Sequence, residues 1–348
     1  MEFVCYSHWS QLPKSADDLF HEGEKQSLFF SRPWFEIMEK YALKEDQDML
    51  LAGVVNDKQL QAILPLKKDA GKNYQSMTHN YSSLFSLLIS DENQTEILNC
   101  LVQGLHQIPL QSITFMPVDQ HDSKLLQFQQ IMQTNGFECL RKFRFYNWFH
   151  RTQGASFAEY MAHRPSRLRN TIARKQRKLE REQDYNIRLF LGEEVPGAME
   201  DYYRAYKASW KADEQFGHIL DDLIHRFSSL DWPRLAILYI NGQPAAAQIW
   251  FVVKDKANIF RLVYDESWKH YSPGSILTQY LMEYVLNTDS VKEIDFLTGN
   301  EQYKQDWMSE RRERWALTFV KREQPQGQFK HTIKTLFSFF NHKQVDID

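Results

Sequence analysis

Two hairpin signals half a chain apart do most to limit what this sequence can fold into. The stronger is "RLAILYINGQPAAAQIWFVVKD", residues 234–255, in which two apolar runs meet at Asn241-Gly242. A two-residue hairpin turn needs positive φ at both central residues, which Asn and Gly tolerate best. The weaker is "MLLAGVVNDKQLQAILPLKK", residues 49–68, joined at Asn56-Asp57. A similar order follows each. After the first hairpin come the apolar segment "YSSLFSLLIS", a predicted helix over Gln94–Gln107, a strand "SITFMPV" and a helix from about Ser123 to Asn135. After the second come a strand "NIFRLVYD", a helix from Pro273 to Asn287 and the strand "VKEIDFL". Identity between the halves is slight, so the signal is one of order: hairpin, strand, helix, strand. A last strand, "RWALTFVKR", is expected to complete the mixed sheet of the second half.

A chain of 348 residues is long enough for two domains, and 43% apolar with 25% charged residues is ordinary for a globular protein. A net charge of -3 gives no global field that would attract nucleic acid or a membrane. The three cysteines, Cys5, Cys100 and Cys139, form no C-x-x-C pair, which fits a reducing compartment. The amino-terminal stretch lacks the basic segment and apolar run of a signal peptide. The apolar runs fall short of the ~20 residues a membrane helix needs. The expectation is a cytoplasmic protein with no integral membrane segment. No H-E-x-x-H, G-x-S-x-G or G-x-x-x-x-G-K-[ST] pattern occurs, so no metal site is expected and the commonest hydrolase and nucleotidase readings fall away.

Between the halves lies "RPSRLRNTIARKQRKLEREQ", residues 164–183. Pro165 suits a first helical turn, and Leu168, Ile172 and Leu179 form an apolar stripe on a helix otherwise clothed in Arg and Lys. Its basic residues cannot all share one narrow face, so a solvated surface and an anion-recognising helix both stay open. DNA binding would need a base-reading element that the chain does not offer. The second domain is expected to start near Phe157, and "FKHTIKTLFSFFNHK" is expected to form a C-terminal amphipathic helix.

The densest chemistry lies in "DFLTGNEQYKQDW", residues 295–307. An apolar strand ends there on Asp295 and Gly299, then delivers Glu301, Tyr303, Lys304 and Trp307. Just upstream, "SPGSIL" opens a helix with Ser272, Pro273, Gly274 and Ser275 at its amino end, where free N–H groups favour phosphate or carboxylate. Together "YDESWKHYSPGSILTQYLMEYVLN" and "DFLTGNEQYKQDW" resemble acyltransferases of the CelD/BcsL type in the GNAT superfamily. More distantly they resemble the FemAB-type peptidyltransferases, which share a tandem GNAT architecture. In the first half "HNYSSLFSLLI" is similar to the matching element of a degenerate amino-terminal copy.

The resemblance implies an α/β protein of two tandem GNAT-like domains, each a twisted mixed β-sheet flanked by helices. Residues 1–150 would be the degenerate copy and residues 151–348 the acyltransferase domain. It implies transfer of an acyl group to an amine of an amino sugar, peptide or cell-envelope precursor. Lys304 matches a lysine tied to catalysis in the peptidyltransferases and would stabilise an oxyanion or phosphate. Tyr303 would donate to the leaving group, and Asp295 or Glu301 would hold or deprotonate the amine; from the residues alone Asp295 could equally cap a turn before Gly299, and Tyr303 and Trp307 more often pack in a core or its rim. Tyr264, Asp265, Trp307 and Arg167 would contact the acceptor, with Trp307 walling the pocket. Lys269, Ser272, Gly274 and Ser275 would hold acyl-CoA as donor. The sequence departs from the usual Q/R-x-x-G-x-G/A pyrophosphate loop, offering only Gly274 there. That leaves an acyl-carrier protein or aminoacyl-tRNA open as alternative partners.

Overall fold

The computed structural model describes residues 1–44, 47–210 and 217–322. The C-terminal helix expected over "FKHTIKTLFSFFNHK" lies outside the described residues. The first half runs β1 (Glu2–Tyr6), α1 (Ala16–Gln26), α2 (Arg32–Ala42), β2 (Met49–Asn56), β3 (Gln59–Lys68), β4 (Asn73–Ser76), β5 (Leu88–Ile89), α3 (Gln94–Leu105), β6 (Ser112–Asp119), α4 (Ser123–Thr134) and β7 (Phe137–Arg151). The second runs α5 (Phe157–Ala162), α6 (Ser166–Glu182), β8 (Tyr185–Leu191), α7 (Val195–Lys207), α8 (Gly217–Ser228), β9 (Pro233–Ile240), β10 (Gln243–Val253), β11 (Lys256–Tyr264), α9 (Pro273–Asn287), β12 (Glu293–Thr298), α10 (Gln302–Trp307) and β13 (Glu310–Lys321).

Both hairpins form. The second turns on Asn241 and Gly242, at φ 51° and 76°. The first turns one residue later than its sequence suggests, on Asp57 and Lys58 at φ 49° and 65°. Asn56 is instead the last rung of the ladder, paired with Gln59.

All thirteen strands belong to one mixed sheet, ordered β1-β2-β3-β4-β6-β13-β7-β12-β11-β10-β9-β8, with β5 set beside β3. The order is a palindrome. Antiparallel pairing runs in from each end to one parallel pair, β4 with β6 and β11 with β12. The two halves then exchange their last strands. β13 lies between β6 and β7, and β7 lies between β13 and β12. The expectation that "RWALTFVKR" completes the second half's own sheet is corrected here: it pairs with β6 and β7 of the first half.

Helices cover both faces, which explains why "RLAILYI" reads as a continuous apolar run. Leu235 and Ile237 enter one buried cluster, while Ala236, Leu238 and Ile240 enter the other. On α6 the stripe falls as its spacing predicts, with Ile172 and Leu179 buried.

Strand exchange carries a testable consequence. Residues 1–154 produced alone lack β13, the strand between β6 and β7, and residues 155–348 lack β7, the strand between β13 and β12. Neither fragment is expected to melt cooperatively, and mixing them should restore one transition followed by circular dichroism. Two independent cooperative transitions would contradict it.

Candidate functional site

Strands β11 and β12 pair only at Lys256–Glu293, Ala257–Ile294 and Asn258–Asp295. β11 then continues to Tyr264 and β12 to Thr298, so the strands part toward their carboxyl ends, where open α/β sheets hold ligands. A bulge helps to turn β12 away. Asp295 lies opposite Phe149 on β7, yet the next pair is Thr298 with Asn147, so β12 carries an extra residue. Leu297 takes φ 57°, a left-handed conformation uncommon outside glycine.

Side chains from three strands pin this bulge. Leu297 N donates to Asp295 Oδ1 at 2.6 Å. Asn147 Nδ2 donates to Asp295 Oδ1 at 2.5 Å and to Leu297 O at 2.8 Å. Arg312 of β13 donates to Asp295 Oδ2, and to Glu293 Oε1 at 2.9 Å. Arg314 bonds Asn147 Oδ1 at 3.1 Å and Asp119 Oδ2 at 2.6 Å. Burial alone would raise the Asp295 pKa, but the charges of Arg312, Lys256 and Arg314 and the Asn147 bond hold it below the usual carboxylate range. The adjoining cavity encloses about 10 Å³, room for about one water. With both oxygens engaged and the space beside it so small, Asp295 shapes the strand end.

Beyond the bulge the chain reaches Lys304, only 4% exposed. Its Nζ donates to Thr298 O and lies 2.9 Å from Glu301 Oε2. Gly299 makes that approach possible. At φ 123°, a Cβ there would lie 2.3 Å from Glu301 Oε2 and 2.6 Å from Lys304 Nζ. Burial lowers the Lys304 pKa, opposed by Glu301 and then by Asp295. Tyr303 is 44% exposed, its ring edge-on to Phe296 at 5.6 Å. Desolvation and the Glu301 charge raise its pKa, so the phenol stays protonated at neutral pH. Glu301, Tyr303 and Lys304 are therefore brought together, with Asp295 near enough for its charge to act on the ammonium.

The remaining expected residues divide. Tyr264 ends β11, packs against Trp210 with ring centres 4.5 Å apart and planes tilted by 44°, and lies 3.3 Å from where a Cβ on Gly274 would be. Asp265 accepts from Ser267 N at 2.8 Å and so caps the turn that follows. Lys269 is exposed, 3.7 Å from Glu266. At the start of α9 the Ser275 and Ile276 amides turn back on Ser272 O at 3.1 and 3.2 Å, and Pro273 has no N–H. Gly274 is left as the first-turn amide available to an anion. Trp307 is buried in the core, and its carbonyl accepts from Tyr160 and Arg164. Arg167 lies exposed on α6, 3.1 Å from Asp306.

The first half contributes residues that the sequence did not single out. Ser83 Oγ lies 3.1 Å from Thr298 Oγ1. Tyr81 packs edge-on to Phe260 at 5.7 Å, with the Arg261 guanidinium 4.1 Å from its ring centre. The His79 pKa is pushed down to about 4 by burial and by Lys67 and Arg261, so its imidazole is neutral at neutral pH. The segment from His79 to Ser83 thus reaches both parted strands. Its only signal in the sequence was the "HNYSSLFSLLI" resemblance, which points to an element and not to particular side chains.

Residues 166–305 match the model of the acetyltransferase (GNAT) domain family. No curated protein matches by sequence. Among solved structures, FemX superposes with a TM-score of 0.65 at 9% identity, covering 92% of this chain and 97% of FemX. A conserved protein of unknown function from Bacteroides thetaiotaomicron gives 0.58 at 11% identity, over 89% of this chain and 99% of that one. The C-terminal domain of a proposed lysylphosphatidylglycerol synthetase from Agrobacterium fabrum gives 0.55 at 10% identity, over 94% and 95%. At such identities the likeness is one of fold. The parted strands, α9 and the Lys304 helix as far as residue 305 all fall within the segment that matches a GNAT acetyltransferase domain.

Proposed function

We propose that this chain is an N-acyltransferase whose active site lies at the parted ends of β11 and β12, acting on an amine of an amino sugar, peptide or cell-envelope precursor. One observation carries the reading: a buried ammonium, Lys304, held by Thr298 O and Glu301 where two parallel strands separate. Acyl transfer to an amine passes through a tetrahedral intermediate whose oxyanion needs a preorganised donor. A fixed, desolvated ammonium supplies one without rearranging as charge develops. Tyr303, protonated at neutral pH, suits proton donation to the leaving thiolate, and Glu301 suits receipt of the amine's proton. On this reading residues 151–348 hold the chemistry, residues 1–150 are a structural copy, and acyl-CoA places its phosphates near Gly274 and Lys269.

A second reading, transfer from aminoacyl-tRNA as in FemAB-type peptidyltransferases, draws on α6. Its exposed Arg169 and Arg174 have no acidic partner among the described residues, and α9 offers few amides to a pyrophosphate. Among the described residues no helix is long and apolar enough to cross a membrane.

Thermal unfolding with a panel of acyl-CoAs separates the readings. A donor at a hundred times its Kd should stabilise the native state by about 2.7 kcal/mol. Lys304→Met should keep that shift and lose about 10²–10³ in turnover. No shift with any thioester, together with RNase-sensitive activity, would favour the tRNA reading.

Asp295→Asn tests the structural role. It leaves buried cations uncompensated, and urea unfolding should show a loss of about 3–5 kcal/mol. The Asp295 pKa is lower in the folded chain than the roughly 3.9 of an unfolded one. Its contribution is therefore present above about pH 4 and fades as pH falls through the folded value. Asp295→Asn should remove that acid limb, and activity should follow the folded fraction. A fully folded but inactive variant would return a chemical role to Asp295.

A further inference from the structure

The helix that carries Lys304 cannot hold itself in place. α10 has six residues, and Glu301 at its amino end makes no side-chain capping bond. Isolated helices this short are unstable in water, so packing must fix it. Its carboxyl end is held instead. Met308 N closes on Lys304 O at 2.9 Å. The neighbouring Trp307 carbonyl accepts two buried donors, Tyr160 Oη at 2.5 Å and Arg164 Nη1 at 2.9 Å. Those two bonds fill both lone pairs of that oxygen. Tyr160 is 2% exposed and Arg164 9%, and the guanidinium lies 4.7 Å from the Tyr160 ring centre. Arg164 also donates through Nη2 to Ser309 Oγ at 2.7 Å, and Ser309 Oγ lies 2.9 Å from His150 Nδ1 on β7. Since the Arg164 guanidinium only donates, the Ser309 hydroxyl is free to point its hydrogen at His150. The last turn of α10 is thereby tied both to the segment that opens the second half and to the central strand β7.

We propose that Tyr160 and Arg164 are positioning residues for Lys304, fixing its helix through the Trp307 carbonyl and setting where the ammonium sits at the end of β12. Neither residue belongs to the "DFLTGNEQYKQDW" cluster. For turnover this rests on the acyl-transfer reading; for the placement of Lys304 it does not.

The test labels lysines of the full chain with an amine-reactive anhydride and follows Lys304 by mass spectrometry in Tyr160→Phe, Arg164→Met and Arg164→Lys. Tyr160→Phe and Arg164→Met should raise the Lys304 labelling rate about 5- to 10-fold, the factor expected for one lost buried hydrogen bond, while exposed Lys269 stays constant. Arg164→Lys, which keeps a charged donor, should recover part of the protection. Leu98→Ala, a buried first-half position, serves as a control that lowers the melting point without changing Lys304 labelling. With an active acyl donor, the two disruptive variants should lower kcat by a similar factor and leave KM within about 2-fold. Unchanged Lys304 labelling in both, or an equal rise in the Leu98→Ala control, overturns the proposal. A rise in labelling in a chain that transfers no acyl group supports the positioning role and counts against the acyl-transfer reading alone.

Discussion

The antiparallel pair of β7 with β13 is the constraint on which the rest depends. Its register runs from Glu310–Phe149 to Lys321–Phe137, the whole length of β13. Because each of these strands ends its own half but pairs with the other, groups distant in sequence meet at the centre of the sheet. Asn147 comes from β7, Arg312 and Arg314 from β13, Asp295 from β12 and Asp119 from β6. Without the exchange, Asn147 would not lie beside Leu297, and the bulge would lose the amide that bridges its two sides.

Three cations, Lys256, Arg312 and Arg314, face three carboxylates, Glu293, Asp295 and Asp119, in this region. Burying such charges is costly, and a buried ion pair is weak evidence of net stabilisation. Its value here is geometric. Every oxygen of Asp295 is committed, so Leu297 is held in a backbone conformation it would otherwise avoid. Thr298 O is then presented to Lys304, and Gly299 leaves room for Glu301 to join it. The electrostatics of the centre are thus converted into the position of one ammonium at the edge of an opening.

Much of this was legible in the sequence because it is local. The Asn241-Gly242 turn, the start of α9 at Pro273 and the buried stripe of α6 all follow from short-range periodicity and turn chemistry. The clustering of Glu301, Tyr303 and Lys304 follows from their closeness in the chain. What was not legible depends on pairing across long separations. Nothing local distinguishes a last strand that closes its own half from one that crosses to the other. For the same reason Asp295 read equally as a reactive carboxylate or a turn cap: its partners Asn147 and Arg312 come from two other strands. Trp307 read as core packing from its residue type and as a pocket wall from the resemblance; its ring enters the core, and its carbonyl accepts from Tyr160 and Arg164. The roles of Tyr160 and Arg164 are invisible in sequence, since they act through a backbone oxygen.

The palindromic sheet also lets one half be compared with the other, position by position. Asp119 ends β6 and Asp122 caps α4; Thr298 ends β12 and Glu301 immediately precedes α10, with the same three-residue step. The third helical residue is then Leu125 in the first half and Lys304 in the second. Leu125 is buried in the apolar core. Asp122, the counterpart of Glu301, spends its oxygens on the Lys124 and Leu125 amides and on Ser86 Oγ. The space beside β6 is also occupied by the chain itself, since Ser76 and Thr78 hydroxyls donate to Met116 O and Phe85 N donates to Pro117 O. One architecture therefore supports two outcomes. In the first half an aliphatic side chain fills the helix position, and the chain's own backbone and hydroxyls bond to the strand end. Where the strand end faces a buried lysine and a carboxylate, a charged group is left where β11 and β12 part.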